Sequence, residues 1–261
     1  MKNLLRALAC GSLLLFTNSP FAAAPDGYRL AWSDEFDGTA LDTNKWMHWL
    51  PGKRRDAINI SNAVAVSNGL LTITSYTEDG KHFTGMISTQ RKFAPIRGYW
   101  EARIRFEDSQ GMWSAFWLQS PTMGRPIGDT ATAGIEIDIC EHRSVDKNGN
   151  NIVGKVSHNL HWDGYGRAHR TAGRDTHDLK LGTDFHDYGF EWTTNAYRFF
   201  VDGQLTWTVT NAISNAKEFC ILSSEIDGKA WAGKIPDAGY GDLRASKTKM
   251  VVDWVRYYAT E

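Results

Sequence analysis

The feature that most restricts the fold of this chain is a period of two. Trp100, Ala102, Ile104 and Phe106 alternate with Glu101, Arg103 and Arg105, so an extended backbone puts the apolar side chains on one face and the charges on the other. Leu71-Thr72-Ile73-Thr74-Ser75-Tyr76 repeats the pattern, and 250–258 is another β-branched and aromatic run. The segments 197–201 and 205–209 flank Asp202-Gly203, a dipeptide suited to a tight hairpin turn, and are expected to pair. Extended helical periodicity is hard to find. Many short strands separated by Gly and Asx turns imply an all-β chain, a β-sandwich of jelly-roll type with one concave face. The polar stretches 121–132, 143–154 and 164–182 fit neither period and read as long loops, which on a rigid sandwich tend to carry binding.

No linker or shift in composition divides the chain, so residues 25–261 are expected to form one domain. Residues 1–24 read as a signal peptide. A basic start (Lys2, Arg6) precedes an apolar run from Ala7 to Phe16, and cleavage is expected among the small residues Ala22 to Ala24. That run is too short to span a bilayer, which points to a secreted or periplasmic protein. Lipoprotein anchoring at Cys10 is the disfavoured alternative, because the apolar run continues past it. Beyond the leader only Cys140 and Cys220 remain, too few for a disulfide scaffold or a zinc set; whether they pair is left open.

Lys and Arg number 29 against 30 Asp and Glu, so charge gives no reason to expect a nucleic acid or an anionic membrane as partner. The 11 Trp, 9 Tyr and 12 Phe suit stacking on sugar rings as well as core packing. A monomer is expected, and no His or Cys spacing suggests a catalytic transition metal.

The most informative segment is Gly134-Ile135-Glu136-Ile137-Asp138-Ile139-Cys140-Glu141, three carboxylates set among β-branched residues. Alternation directs Ile135, Ile137 and Ile139 to a core and Glu136 and Asp138 to the opposite face. Glu141 has the wrong parity for that face, and a single β-bulge restores it. Four effective steps then put the two Glu backbones about 13 Å apart at ~3.3 Å per residue. Long side chains leaning inward can bring the carboxyls toward the roughly 5 Å that double displacement at an anomeric carbon requires. Repulsion among three close carboxylates keeps a proton on the group that must act as acid. The competing reading is the solvated polar face of an edge strand.

Glu136-Ile-Asp138-Ile-Cys-Glu141 resembles the bulged signature of glycoside hydrolase family 16, which includes laminarinases, agarases, carrageenases and porphyranases. The resemblance extends to Trp32-Ser-Asp34-Glu35-Phe36, Gly98-Tyr-Trp-Glu-Ala-Arg, Gly111-Met-Trp113-Ser-Ala-Phe-Trp117-Leu, 184–192 and Val252-Asp253-Trp254, in the family's order. It implies a concanavalin A-like sandwich with a substrate cleft, Glu136 as nucleophile, Glu141 as general acid/base and Asp138 as the residue orienting the nucleophile. It also implies substrate contacts from Trp113, from His161 with Asn159 beside it, and from Glu225 and Trp231. Trp117 shares the parity of Trp113 and can face cleft or core. No cofactor is needed for the chemistry; Asp253 and a carbonyl near Gly69 are the positions at which the family can hold a structural Ca²⁺.

The expected activity is endo-acting, retaining hydrolysis of a polysaccharide, with β-1,3- or mixed β-1,3/1,4-glucan as substrate. One rival is a β-galactan such as agar, porphyran, carrageenan or a mucin-type glycan, since His142 to Lys180 carries seven Lys or Arg against four Asp, with five His. The other is a lectin-like sandwich that binds sugar without cutting it. Transglycosylation in place of hydrolysis stays open.

Overall fold

The computed structural model describes residues 26–181, 184–229 and 231–261; the leader and Cys10 lie outside them. The chain folds as a β-sandwich of jelly-roll type. One sheet has eight strands, ordered Gln204–Val209, Tyr197–Val201, His186–Trp192, Gly98–Arg105, Lys249–Thr260, Leu70–Thr74 and Val64–Ser67, with Tyr28–Asp34 also paired to Lys249–Thr260. The other has seven, ordered Arg170–Asp175, Ser157–Trp162, Glu136–His142, Met112–Gln119, Phe219–Ile226, Met86–Ser88 and Met47–His48.

The period-two segments behave as their pattern requires. Trp100, Ala102, Ile104 and Phe106 are buried between the sheets with Leu71 and Ile73, against Phe116, Leu118, Ile137, Ile139 and Leu160 of the seven-stranded sheet. The strands Tyr197–Val201 and Gln204–Val209 pair through Asp202 (φ 49°) and Gly203 (φ 73°). Two successive positive φ values match the right-handed twist of the flanking strands.

Two features escaped the pattern. Arg170–Asp175 is a strand inside the stretch read as the loop 164–182. It is an almost fully exposed edge strand joined to Ser157–Trp162, and an edge held by backbone bonds needs no apolar alternation to mark it. A small third sheet, Gly52–Arg54, Ala57–Asn59, Lys81–Thr84 and Tyr76–Glu78, is built of strands too short to show a period. Cys140 and Cys220 are both buried free thiols, on strands separated by Met112–Gln119. Among the described residues no helix is long and apolar enough to cross a membrane.

Candidate active site

The site lies on the outward face of the seven-stranded sheet. Ile135, Ile137 and Ile139 enter the core, and so does Cys140, because the pairing slips. Phe116 faces Cys140 and Trp117 faces Asp138, leaving Ile139 without a counterpart on that side; on the other, Asp138 pairs Asn159 and Glu141 pairs Ser157. Two residues against one is the β-bulge that the spacing called for. It turns Glu141 to the same face as Glu136 and Asp138, and all three line one cleft of about 550 Å³.

The neighbouring strand contributes Trp113, Ala115, Trp117 and Gln119, and the next contributes Ser223 and Glu225, each at one parity of its strand. A second hollow of about 490 Å³ shares Trp113, Glu141 and His161 with the first and adds Asn159, Lys229 and Trp231. Trp113 packs on Trp231 with ring centroids 4.3 Å apart. Trp117 meets both expectations: it lines the cleft, yet it is buried against Trp49 and donates to Ser223 Oγ at 3.0 Å.

Each Glu is held by its own set of donors. Glu141 accepts from Trp113 Nε1 at 2.5 Å and from Asn159 Nδ2. Glu136 Oε2 accepts from Gln119 Nε2 at 2.9 Å and from the Tyr165 hydroxyl. Asp138 sits between them, 4% exposed, with Oδ2 3.4 Å from His161 Nε2.

Burial pushes the Glu136 and Glu141 carboxyls up to about 7; the hydrogen bonds from Tyr165, and from Asn159 and Trp113, restrain the rise, while the charge of Glu225 adds to it. Burial, then the charges of Glu141 and Glu136, hold Asp138 well above the usual carboxylate range. Burial and the neighbouring His169 push His161 down to about 4, so its imidazole is neutral near pH 7. Three acids that favour protonation and oppose each other's charge can keep one carboxyl protonated beside an ionised one at neutral pH.

Several residues of the site escaped the sequence reading. Arg54 and Arg55, from the third sheet and the turn after Gly52–Arg54, clamp the buried Glu225, and Arg55 also binds Asp227 at 3.0 Å. The Arg55 guanidinium lies over the Trp113 ring, 3.9 Å from its centroid. Tyr165 and His169 come from the loop after Ser157–Trp162, with the His169 ring stacked on His161 at 5.1 Å. Gln119 alone could have been found, from its parity with Trp113 and Trp117.

Asp253 and Gly69 lie away from this cleft. The Asp253 carboxylate is 3.5 Å from Arg103 Nε. Among the described residues, the His, Cys, Asp and Glu side chains that could gather three to a metal ion are Glu136, Asp138 and His161.

Residues 29–260 match the family model described as the GH16 domain of β-porphyranases A to D. The chain belongs to glycoside hydrolase family 16. It is 30% identical to the β-glucanase of Rhodothermus marinus, over 88% of this chain and 85% of that protein. It is 26% identical to the glucan endo-1,3-β-glucosidase A1 of Niallia circulans over 92% of this chain, but spans only 39% of that protein's length. Among solved structures, a laminarinase from Flavobacterium sp. UMI-01 shares the family 16 fold with a TM-score of 0.72 and 24% identity, over 88% of this chain and all of that one.

Proposed function

We propose that this chain is an endo-acting glycosidase that cleaves internal β-linkages of a polysaccharide by double displacement. Glu136 attacks the anomeric carbon, and Glu141 protonates the departing oxygen and then activates the water that releases the glycosyl group; Asp138 orients Glu136. Two successive inversions retain the anomeric configuration. The observation that carries this reading is the bulge at Ile139, which brings Glu136 and Glu141 into one cleft from a single strand. Trp113 and Trp231 put aromatic surface beside Glu141, although Arg55 lies over the one ring and Arg143 over the other, and Asn159 and the neutral His161 can bond sugar hydroxyls.

The leading substrate is a β-1,3- or mixed β-1,3/1,4-glucan. A second reading, a β-galactan, is favoured by the porphyranase type of the matching family model. A reducing-sugar assay across laminarin, lichenan, agarose, porphyran, carrageenan and mucin glycans separates them: cleavage of galactans alone overturns the glucan. Proton NMR of the first products reads the configuration, with the retained anomer expected. Glu136→Gln should abolish turnover, and unchanged product formation refutes the assigned nucleophile.

A further inference from the structure

Three atoms of the cleft face one another closely enough to take a ligand together. Glu136 Oε1, Asp138 Oδ2 and His161 Nε2 come from two adjacent strands, Glu136–His142 and Ser157–Trp162, and the ligating atoms of these residues lie within 4.8 Å of one another. His161 Nε2 is 3.4 Å from Asp138 Oδ2 and 4.0 Å from Glu136 Oε1. Ligands about 2.1 Å from a tetrahedral ion are separated by about 3.4 Å; the His161–Asp138 edge already fits, the His161–Glu136 edge closes with a sub-ångström rotation, and the Glu136–Asp138 edge lies within 4.8 Å. Asp138 is more than nine-tenths buried, and its Oδ2 has no hydrogen-bond partner, an unmet demand that a bound cation would satisfy.

The supporting contacts are of the kind metal ligands need. Glu136 Oε2 is fixed by Gln119 and Tyr165, which turns Oε1 toward His161. His161 Nδ1 bonds His169 Nε2 at 3.0 Å, which leaves Nε2 as the outward ring atom. Such partners orient ligands before the ion arrives and strengthen its binding. Glu141 lines the same cleft and adds negative charge when ionised, whereas the charge of Glu225 is balanced by Arg54 and Arg55.

We propose that Glu136, Asp138 and His161 form a binding site for a borderline-soft divalent ion such as Zn²⁺, and that its occupation shuts the cleft to the polysaccharide. The imidazole selects zinc or copper over magnesium and calcium, which prefer oxygen alone. That the ion inhibits rests on the activity proposed above; that it binds does not.

The test is calorimetric titration of chelator-treated protein with ZnCl₂, with melting followed in parallel. The parent should take up one Zn²⁺ per chain with a raised melting temperature, and MgCl₂ should do neither. His161→Ala and the isosteric Asp138→Asn should each weaken binding at least tenfold, whereas His186→Ala, on the opposite sheet, should not change it. Circular dichroism of the metal-free variants checks that they fold. Zn²⁺ should also compete with the polymer the enzyme cuts, with EDTA restoring turnover. Absence of saturable uptake, or uptake equal in the parent and both site variants, overturns the site. Uptake without competition overturns the blockade. If no polymer is cut, the activity assignment fails while the binding result still decides the site.

Discussion

The indole nitrogen of Trp113 donates to Glu141 Oε1 at 2.5 Å. This bond favours the ionised carboxylate, so it opposes the burial that pushes Glu141 up to about 7. If Glu141 is the general acid proposed above, it must be protonated in the free enzyme, and kcat/KM is expected to fall as pH rises through about 7. Trp113→Phe keeps a ring for stacking and removes the donor. Its alkaline limb should move to higher pH, and its kcat/KM at the optimum should drop about tenfold, the equivalent of roughly 1.4 kcal/mol for a bond to a charged group. A pH profile that superimposes on the parent's would refute the role given to this bond.

Gly173, opposite Asn159 on the edge strand, controls the second donor to Glu141. A Cβ at Gly173 would lie 2.0 Å from Asn159 Oδ1, and the carboxamide would have to leave Glu141 to make room. Gly173→Ala should therefore lower kcat/KM as Asn159→Ala does, and the double variant should lose no more than Asn159→Ala alone. Additive losses would show that the two residues act independently.

These two predictions mark how far the sequence could be read. Period-two alternation locates the strands, and the parity break at Glu141 locates the bulge, because both follow from local stereochemistry. Trp113, Asn159 and His161 follow only from the family resemblance. Tyr165, Arg54 and Arg55 belong to loops and two- or three-residue strands without periodicity, and their partners Glu136 and Glu225 are 29 and more than 160 residues away in the chain. The Glu136, Asp138 and His161 cluster was hidden likewise, since its spacing reflects strand pairing of Glu136 with His161 and no local motif.

A buried acid outside the cleft should give the protein a pH-dependent stability. Glu107 accepts from Ser114 Oγ at 2.8 Å, while its Oε2 has no partner. Burial raises its carboxyl to about 7. A folded-state value above the unfolded one contributes stability that is whole below about pH 4.5 and is lost as pH rises through about 7. Glu107→Gln removes this titration. Urea denaturation should show the variant gaining on the parent between pH 5 and pH 8, by on the order of 3 kcal/mol. An equal pH dependence in both proteins would exclude Glu107 as the source.

The bulge itself is bonded by a histidine that does not line the cleft. His158 is buried and its Nδ1 donates to the carbonyl of Ile139 at 2.6 Å. Ile139 is the extra residue opposite Met112–Gln119, so its carbonyl needs a partner beyond the regular ladder. Burial holds the imidazole at about 4. A depressed folded-state value for a base means that stability is complete above about pH 6.5 and is lost as pH falls toward 4. His158→Leu should cost about 2 kcal/mol by orphaning that carbonyl, and it should remove this part of the acid sensitivity. It should also lower kcat/KM, because Glu141 is turned into the cleft only while the bulge holds. His158→Gln keeps a donor and should recover part of both losses. A Leu variant with parental stability and turnover would show that the bulge stands without His158.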